Sequence, residues 1–179
     1  MTGDIHVYRP DSDSFDSLVI DAHDSVAVLE ALQNGEPLPT GSLFRWYRAE
    51  KTGDFPSLFQ QIPVLGTRAL AALRPELGNC CTIRDIDVEG ETLHALQITC
   101  IADCLDRPAS DLELFDGKIE AFERLAFVAD KVPDDLFFKV AGIEDLELFC
   151  AGRLFDLIDT NQLGGLLKCP AKRVHPRSD

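Results

Sequence analysis

The densest polar constellation in the sequence is Asp103-Cys104-Leu105-Asp106, two carboxylates around a thiol at the end of an apolar run. A thiol so placed could act as a nucleophile, or with Cys100 form part of a two-cysteine site. A nucleophilic cysteine needs a base, usually histidine, to make the thiolate. A zinc site needs a second close pair of ligands. His6, His23, His94 and His175 are scattered, no two of them four apart, and no CxxC pair is present. Phosphate-binding glycine loops are also missing, as are the GxSxG elbow and HExxH. Two readings follow. One is a small enzyme built on Asp103, Cys104 and Asp106; the other is a strand end with a buried thiol and two capping aspartates. The second requires fewer coincidences. Asp134-Asp135 is similar: it could present charge to a partner, or be the acidic turn expected after Pro133. No metal or cofactor is expected.

The 179 residues suffice for one domain that buries roughly 70% of its unfolded surface. Asp and Glu number 31 against 17 Lys and Arg, a formal charge of −14. That balance argues against a protein gripping a phosphate backbone or an anionic membrane, and it suits a basic protein partner. Residues 1–40 carry eight acids and one base, and residues 103–135 carry ten and four; the segments between and after are close to balanced. Lys168 to Arg177 is locally basic and reads as a frayed tail. No apolar run reaches the length of a membrane span, and MTGDIHVYRP carries no export pattern, so a cytosolic address is expected. Reduced cysteines are expected there. Most of the six lie in apolar surroundings as small hydrophobes.

The elements that must position these residues read as follows. Ile5 to Tyr8 and Leu18 to Ile20 are short strands, separated by an Asp/Ser loop. A helix runs from a cap at Asp24 or Ser25 to Gln33 and stops at Asn34-Gly35. Phe44, Trp46 and Tyr47, beside Arg45 and Arg48, read as core edge with amphipathic stems, or as a stacking cluster. Thr67 caps a second helix to Arg74, with Pro75 in its last turn. Ile86 and Val88 alternate with Asp85 and Asp87; Glu89-Gly90 turns into a long strand from His94 to Ile101. Leu112 to Phe115, Asp116-Gly117 and Lys118 to Phe122 form a hairpin, since Asp-Gly supplies the positive φ of a type I′ turn. Leu125 to Ala129, Leu136 to Val140, Leu146 to Cys150 and Leu166 to Cys169 are further strands, with a helix from Arg153 to Gln162. Strands joined by hairpin turns predict an α+β fold with mainly antiparallel pairing.

The chain also repeats itself. Pro63-Val-Leu-Gly-Thr-Arg68 leads through a helix to Leu77-Gly78, and Leu148-Phe-Cys-Ala-Gly-Arg153 leads through a helix to Leu163-Gly164. Each copy reads as strand, small residues, arginine, helix, glycine.

The run Leu96-Gln-Ile-Thr-Cys-Ile-Ala-Asp103-Cys104-Leu105-Asp106 resembles the "LNVxDCLD" strand end of an immunity-protein family from bacterial polymorphic toxin systems. Phe127-Val-Ala-Asp-Lys131-Val132-Pro133 is similar to that family's "LVLDxxKIP", and Leu136-Phe-Phe-Lys-Val-Ala-Gly142 to its "IFRLKG". Leu148 to Leu154, with Gly164-Gly165 beyond, resembles its "IFVSERLKDAL…GLTG" ending, although Ala151-Gly152 stand where the family has Ser-Glu. The likeness spans about residues 56–170 of a single domain 1–179. It leaves out an N-terminal part to about residue 55 and a tail from 171 to 179.

The resemblance implies a small cytosolic α+β protein that binds and neutralises a cognate toxin or secreted effector. It implies no catalytic residue and no nucleic-acid or membrane partner. Acidity would steer the chain onto a basic toxin and occlude its active site. Partner contacts are expected at Asp103, Asp106, Asp111, Glu113, Asp116, Asp134 and Asp135. The competing classes are the enzyme above and a non-catalytic adaptor.

Overall fold

A computed structural model describes residues 4–21, 25–59, 61–171 and 174–175. In chain order the elements are β1 (Ile5–Val7), β2 (Ser17–Asp21), α1 (Ser25–Asn34), β3 (Leu43–Tyr47), β4 (Val64–Leu65), α2 (Thr67–Leu77), β5 (Cys81–Val88), β6 (Glu91–Ile98) and β7 (Ile101–Ala102). They continue with β8 (Asp111–Phe115), β9 (Lys118–Arg124), β10 (Phe127–Val128), β11 (Phe137–Val140), β12 (Phe149–Ala151), α3 (Arg153–Thr160), β13 (Cys169–Pro170) and β14 (Val174–His175). The fold is α+β with mostly antiparallel sheets, as the strand and turn pattern predicts. Asp24, His23 and residues 172–173 and 176–177 of the basic tail lie outside the described residues.

One five-stranded sheet runs β2-β3-β5-β6-β4, the other β13-β1-β12-β11-β7. The first is built on the β5–β6 hairpin, in register from Cys81 opposite Ile98 to Val88 opposite Glu91. Its turn residues Glu89 and Gly90 have φ of 54° and 89°, the paired positive values of a type I′ turn. In the second sheet β1 lies between β12 and β13, so the N-terminal segment is an inner strand.

Both faces are buried along β6 and along the centre of the second sheet, whereas β2, β3 and β5 bury one face and expose the other. In β6, Leu93 and Ala95 join a cluster with Phe44, Ile86 and the α1 residues Val28 and Leu32. Leu96 and Ile98, on the opposite face, enter a second cluster with Leu70, Leu73 and Leu77 of α2 and Leu154, Phe155 and Ile158 of α3. Phe137 and Cys150 of the other sheet reach this same central core. Their neighbours Phe138 and Phe149 face a third cluster with Cys104, Leu105, Ile119 and Phe127. Period-2 side-chain alternation thus feeds three cores from two sheets.

Several boundaries differ from the sequence reading. Gly66, not Thr67, holds the cap position of α2; Thr67 is the first helical residue and the cap makes no side-chain hydrogen bond. The helix continues through Pro75 to Leu77, because burial of Leu73 and Leu77 stabilises a last turn that proline alone would disfavour. The strand expected from His94 to Ile101 begins earlier and breaks at Thr99-Cys100, where both backbone N–H groups donate to the Cys80 carbonyl, at 2.8 and 3.3 Å. β7 then pairs with β11 in the other sheet, so this break carries the chain between sheets. The segment 43–47 is a strand paired along β2, with Phe44 buried and Tyr47 exposed. α1 ends as expected: Gly35 has φ 72°, and the Glu36 N–H closes on the Ala31 carbonyl at 2.9 Å.

The sequence repeat has a structural counterpart. β4-Gly66-α2 and β12-Gly152-α3 are two strand–glycine–helix units. Arg68, at the start of α2, donates to the Gln162 carbonyl beyond the end of α3 at 3.1 Å. Arg153, at the start of α3, pairs with Glu76 near the end of α2 at 2.6 Å. The helices therefore run antiparallel, each arginine closing the far end of the other. Arg68 also grips Asp54 through two bonds of 2.9 and 2.6 Å, and the same carboxylate accepts the Gly164 N–H at 2.9 Å. Burial opposes ionisation of Asp54, but these partners outweigh it and hold the carboxyl below its usual range.

Asp54→Ala removes the fork and leaves the Gly164 N–H without its acceptor, an expected loss of about 1–3 kcal/mol in urea unfolding. The pH dependence has a definite sign. The folded pKa lies below the unfolded one, so the stabilisation is complete above the unfolded value and disappears as pH falls through the folded one. The wild type should lose stability below about pH 4 more steeply than Asp54→Ala, measured by acid titration of the unfolding midpoint.

Candidate partner-binding surface

The segment that follows β7 turns Asp103-Cys104-Leu105-Asp106 into four different environments. Asp103 is exposed, with Lys131 at 3.6 Å. Cys104 is fully buried in the outer cluster, and its carbonyl accepts the Val128 N–H at 2.8 Å. Burial pushes its thiol up to about 11, so it is protonated at neutral pH. Leu105 bridges to Phe127. Asp106 caps the short 3-10 turn Arg107–Ala109, accepting the Ala109 N–H at 3.3 Å. His94 pairs with Asp85 at 2.8 Å, and His6 packs on the Phe155 ring at 4.7 Å. Neither histidine serves Cys104. Cys100 donates to Asp135 at 3.3 Å and is pushed up to about 12, by burial first and then by that carboxylate.

Three of the other acidic candidates, Asp111, Glu113 and Asp116, lie on the β8–β9 ribbon, a two-stranded sheet separate from both larger ones. Its turn is the expected one, with Asp116 at φ 49° and Gly117 at φ 77°. Ile119 is buried and Leu112 and Phe122 half-buried against the outer cluster, which fixes one face of the ribbon to the body. The far end is free: Leu114 is 61% and Phe115 72% exposed. Asp111 is tied to Arg124 through bonds of 2.9 and 3.2 Å. Glu113, Asp116, Glu120 and Glu123 are exposed on the same ribbon, as is Lys118. Asp134 is exposed, and its carbonyl accepts Arg153 at 2.6 Å.

The seven expected contact residues thus divide by role. Asp106 holds a turn and Asp111 is neutralised by a neighbour. Glu113 and Asp116 flank two exposed apolar side chains, while Asp103 follows β7 and Asp134 and Asp135 lie in the loop before β11. The sequence reading did not anticipate the apolar tip. Its signal was present: Leu114 and Phe115 sit directly beside the turn, where the pleat cannot direct both inward.

Two further aspartates escaped the sequence reading. Asp54 forms the clamp described above. Asp16 is buried and accepts Arg48 at 2.7 Å, the Ala49 N–H at 2.7 Å and the Thr52 hydroxyl at 3.2 Å. Burial opposes its ionisation, yet these donors hold it below its usual range. Both lie in Asp-rich or turn sequence where neighbouring acids look alike. Among the described residues no group of three or more His, Cys, Asp and Glu side chains is placed to hold a metal ion, and no helix is long and apolar enough to cross a membrane.

No protein-family model matches the chain, and no curated protein matches it significantly.

Native-state alkylation with iodoacetamide at pH 7.5, read by peptide mass spectrometry, should leave Cys104 and Cys150 unmodified, because both are fully buried. Cys81, Cys100 and Cys169 should react faster, being partly accessible. Rapid selective modification of Cys104 would contradict the structural role given to it.

Proposed function

We propose that this chain is an immunity protein, a non-catalytic inhibitor that binds a cognate toxin or secreted effector with a basic surface and occludes its active site. The observation that carries this reading is the β8–β9 ribbon. It presents Leu114 and Phe115 to solvent at its turn end, where Glu113, Asp116 and Glu120 are exposed nearby and Lys118 lies opposite Phe115. An exposed aromatic anchor within a polar rim is the composition of a binding hot spot, and uncompensated charge around it speeds encounter with an oppositely charged protein. The formal charge of −14 extends that attraction over the molecule. The DCLD, KIP-like and SERL-like stretches, in order along residues 56–170, support the same reading.

The burial of Cys104 and the structural task of Asp106 support inhibition over catalysis at that cluster. An inhibitor requires a rigid body that holds a contact surface in place. Anchoring of the ribbon through Ile119 supplies the rigidity, and its free end supplies the contact.

Growth rescue tests the proposal. Coexpression with the toxin encoded beside this chain should protect cells, whereas an adaptor would leave them sensitive. With purified components, the association rate should fall by about tenfold or more between low and 0.5 M salt. Phe115→Ala should weaken the complex by about 30- to 100-fold, in the range of a hot-spot residue. A rate indifferent to salt, together with full tolerance of Phe115→Ala, would sink this reading of the ribbon.

A further inference from the structure

The β8–β9 ribbon has two outer edges, and they differ. Phe115 and Lys118 close the two-residue turn as a hydrogen-bonded pair, so the next pair, Leu114 and Ile119, turns its N–H and C=O groups away from the facing strand. Alternation along β8 directs the backbone of Leu112 outward in the same way. Among the described residues no strand lies beside that edge, and neither leucine makes a backbone hydrogen bond outside the ribbon. Glu113, Leu114 and Phe115 are all exposed, so the edge is open to solvent along its turn half.

The β9 edge is blunted. The register skips Glu120 and Glu123, so both irregularities fall on β9, while β8 runs without an extra residue from Asp111 to Phe115. Bulges bend and twist a strand and interrupt regular pairing, which is how natural sheets guard their edges. Ile119 of β9 is also buried against the body. One side of the ribbon is therefore protected, and the other is a regular strand with two outward backbone positions.

Charge selects the occupant. Asp111, Glu113 and Phe115 alternate along one face of β8, and Asp116 follows in the turn. A symmetric antiparallel pairing of two copies through Leu112 and Leu114 would set Glu113 opposite its own counterpart, and like charges directly opposite are destabilising. An incoming strand with a lysine or arginine opposite Glu113 and an apolar side chain opposite Phe115 meets the reverse condition.

We propose that the partner protein adds an extended basic segment to the free edge of β8, making the ribbon three-stranded. Main-chain bonds at Leu112 and Leu114 supply affinity, and the side chains of Glu113 and Phe115 choose the segment. The assignment rests on the immunity reading above and specifies how the toxin is held.

Amide hydrogen exchange on the ¹⁵N-labelled full chain tests the edge, with the catalytically inactivated toxin domain encoded beside this chain as the probe. The Leu112 and Leu114 amides should exchange fast in the free chain and slow by about 100-fold or more in the complex. Leu114→Pro removes the outward N–H at an edge position that tolerates proline, and should weaken the complex by about 10- to 100-fold, because a carbonyl of the toxin loses its donor. Leu114→Val keeps the N–H and should bind within about threefold of the wild type. Glu113→Lys should weaken binding by about tenfold. Thermal unfolding verifies the fold of each variant. A complex in which Leu112 and Leu114 stay unprotected overturns strand addition without using any variant and leaves the immunity reading standing. Protection of the same amides in the free chain, accompanied by dimer in sedimentation, gives the edge to a second copy and also overturns it. A toxin that does not bind the wild type overturns the immunity reading and strand addition together.

Discussion

The cross-clamping of α2 and α3 is the constraint on which the rest of the molecule depends. Both helices pack into the one core that the two sheets share, and their ends are held by Arg68 on the Gln162 carbonyl and by Arg153 on Glu76. Asp54 ties this pair to the loop before β4 through Arg68 and Gly164. These contacts lie partly in water, so each contributes modestly. Their importance is geometric: they fix the angle and register of two helices whose apolar faces, including Leu73 and Leu154, do the larger part of the stabilising through burial.

From that shared core the order propagates outward by strand alternation. Phe137 and Cys150 point into it, so Phe138 and Phe149 must point away, and the apolar surface they create has to be covered. Cys104, Leu105, Phe127 and Ile119 cover it. The covering layer is therefore made by the acidic segment 103–135. Its apolar residues face inward as a consequence of the sheet, and its carboxylates are left on the outside. The acidic surface and the outer core are two faces of one requirement.

The sequence by itself determined the local grammar. Asp116-Gly117 and Glu89-Gly90 dictate tight hairpins because few other pairs accept two positive φ values. Gly35 stops α1 for the same reason. The apolar periodicity of 67–77 and 153–160 makes helices wherever they pack. Charge segregation is also a property of composition alone. Tertiary structure decided which carboxylates remain free. Asp16 and Asp54 look like any loop acid in the sequence, yet burial beside arginines makes them structural. Asp106 and Asp111 look like contact residues, yet a turn and Arg124 claim them. The burial of His6 against Phe155 arises only because β1 is inserted between β12 and β13, far from it in sequence. Partners for charged and polar groups are set by long-range proximity, which spacing along one chain does not encode.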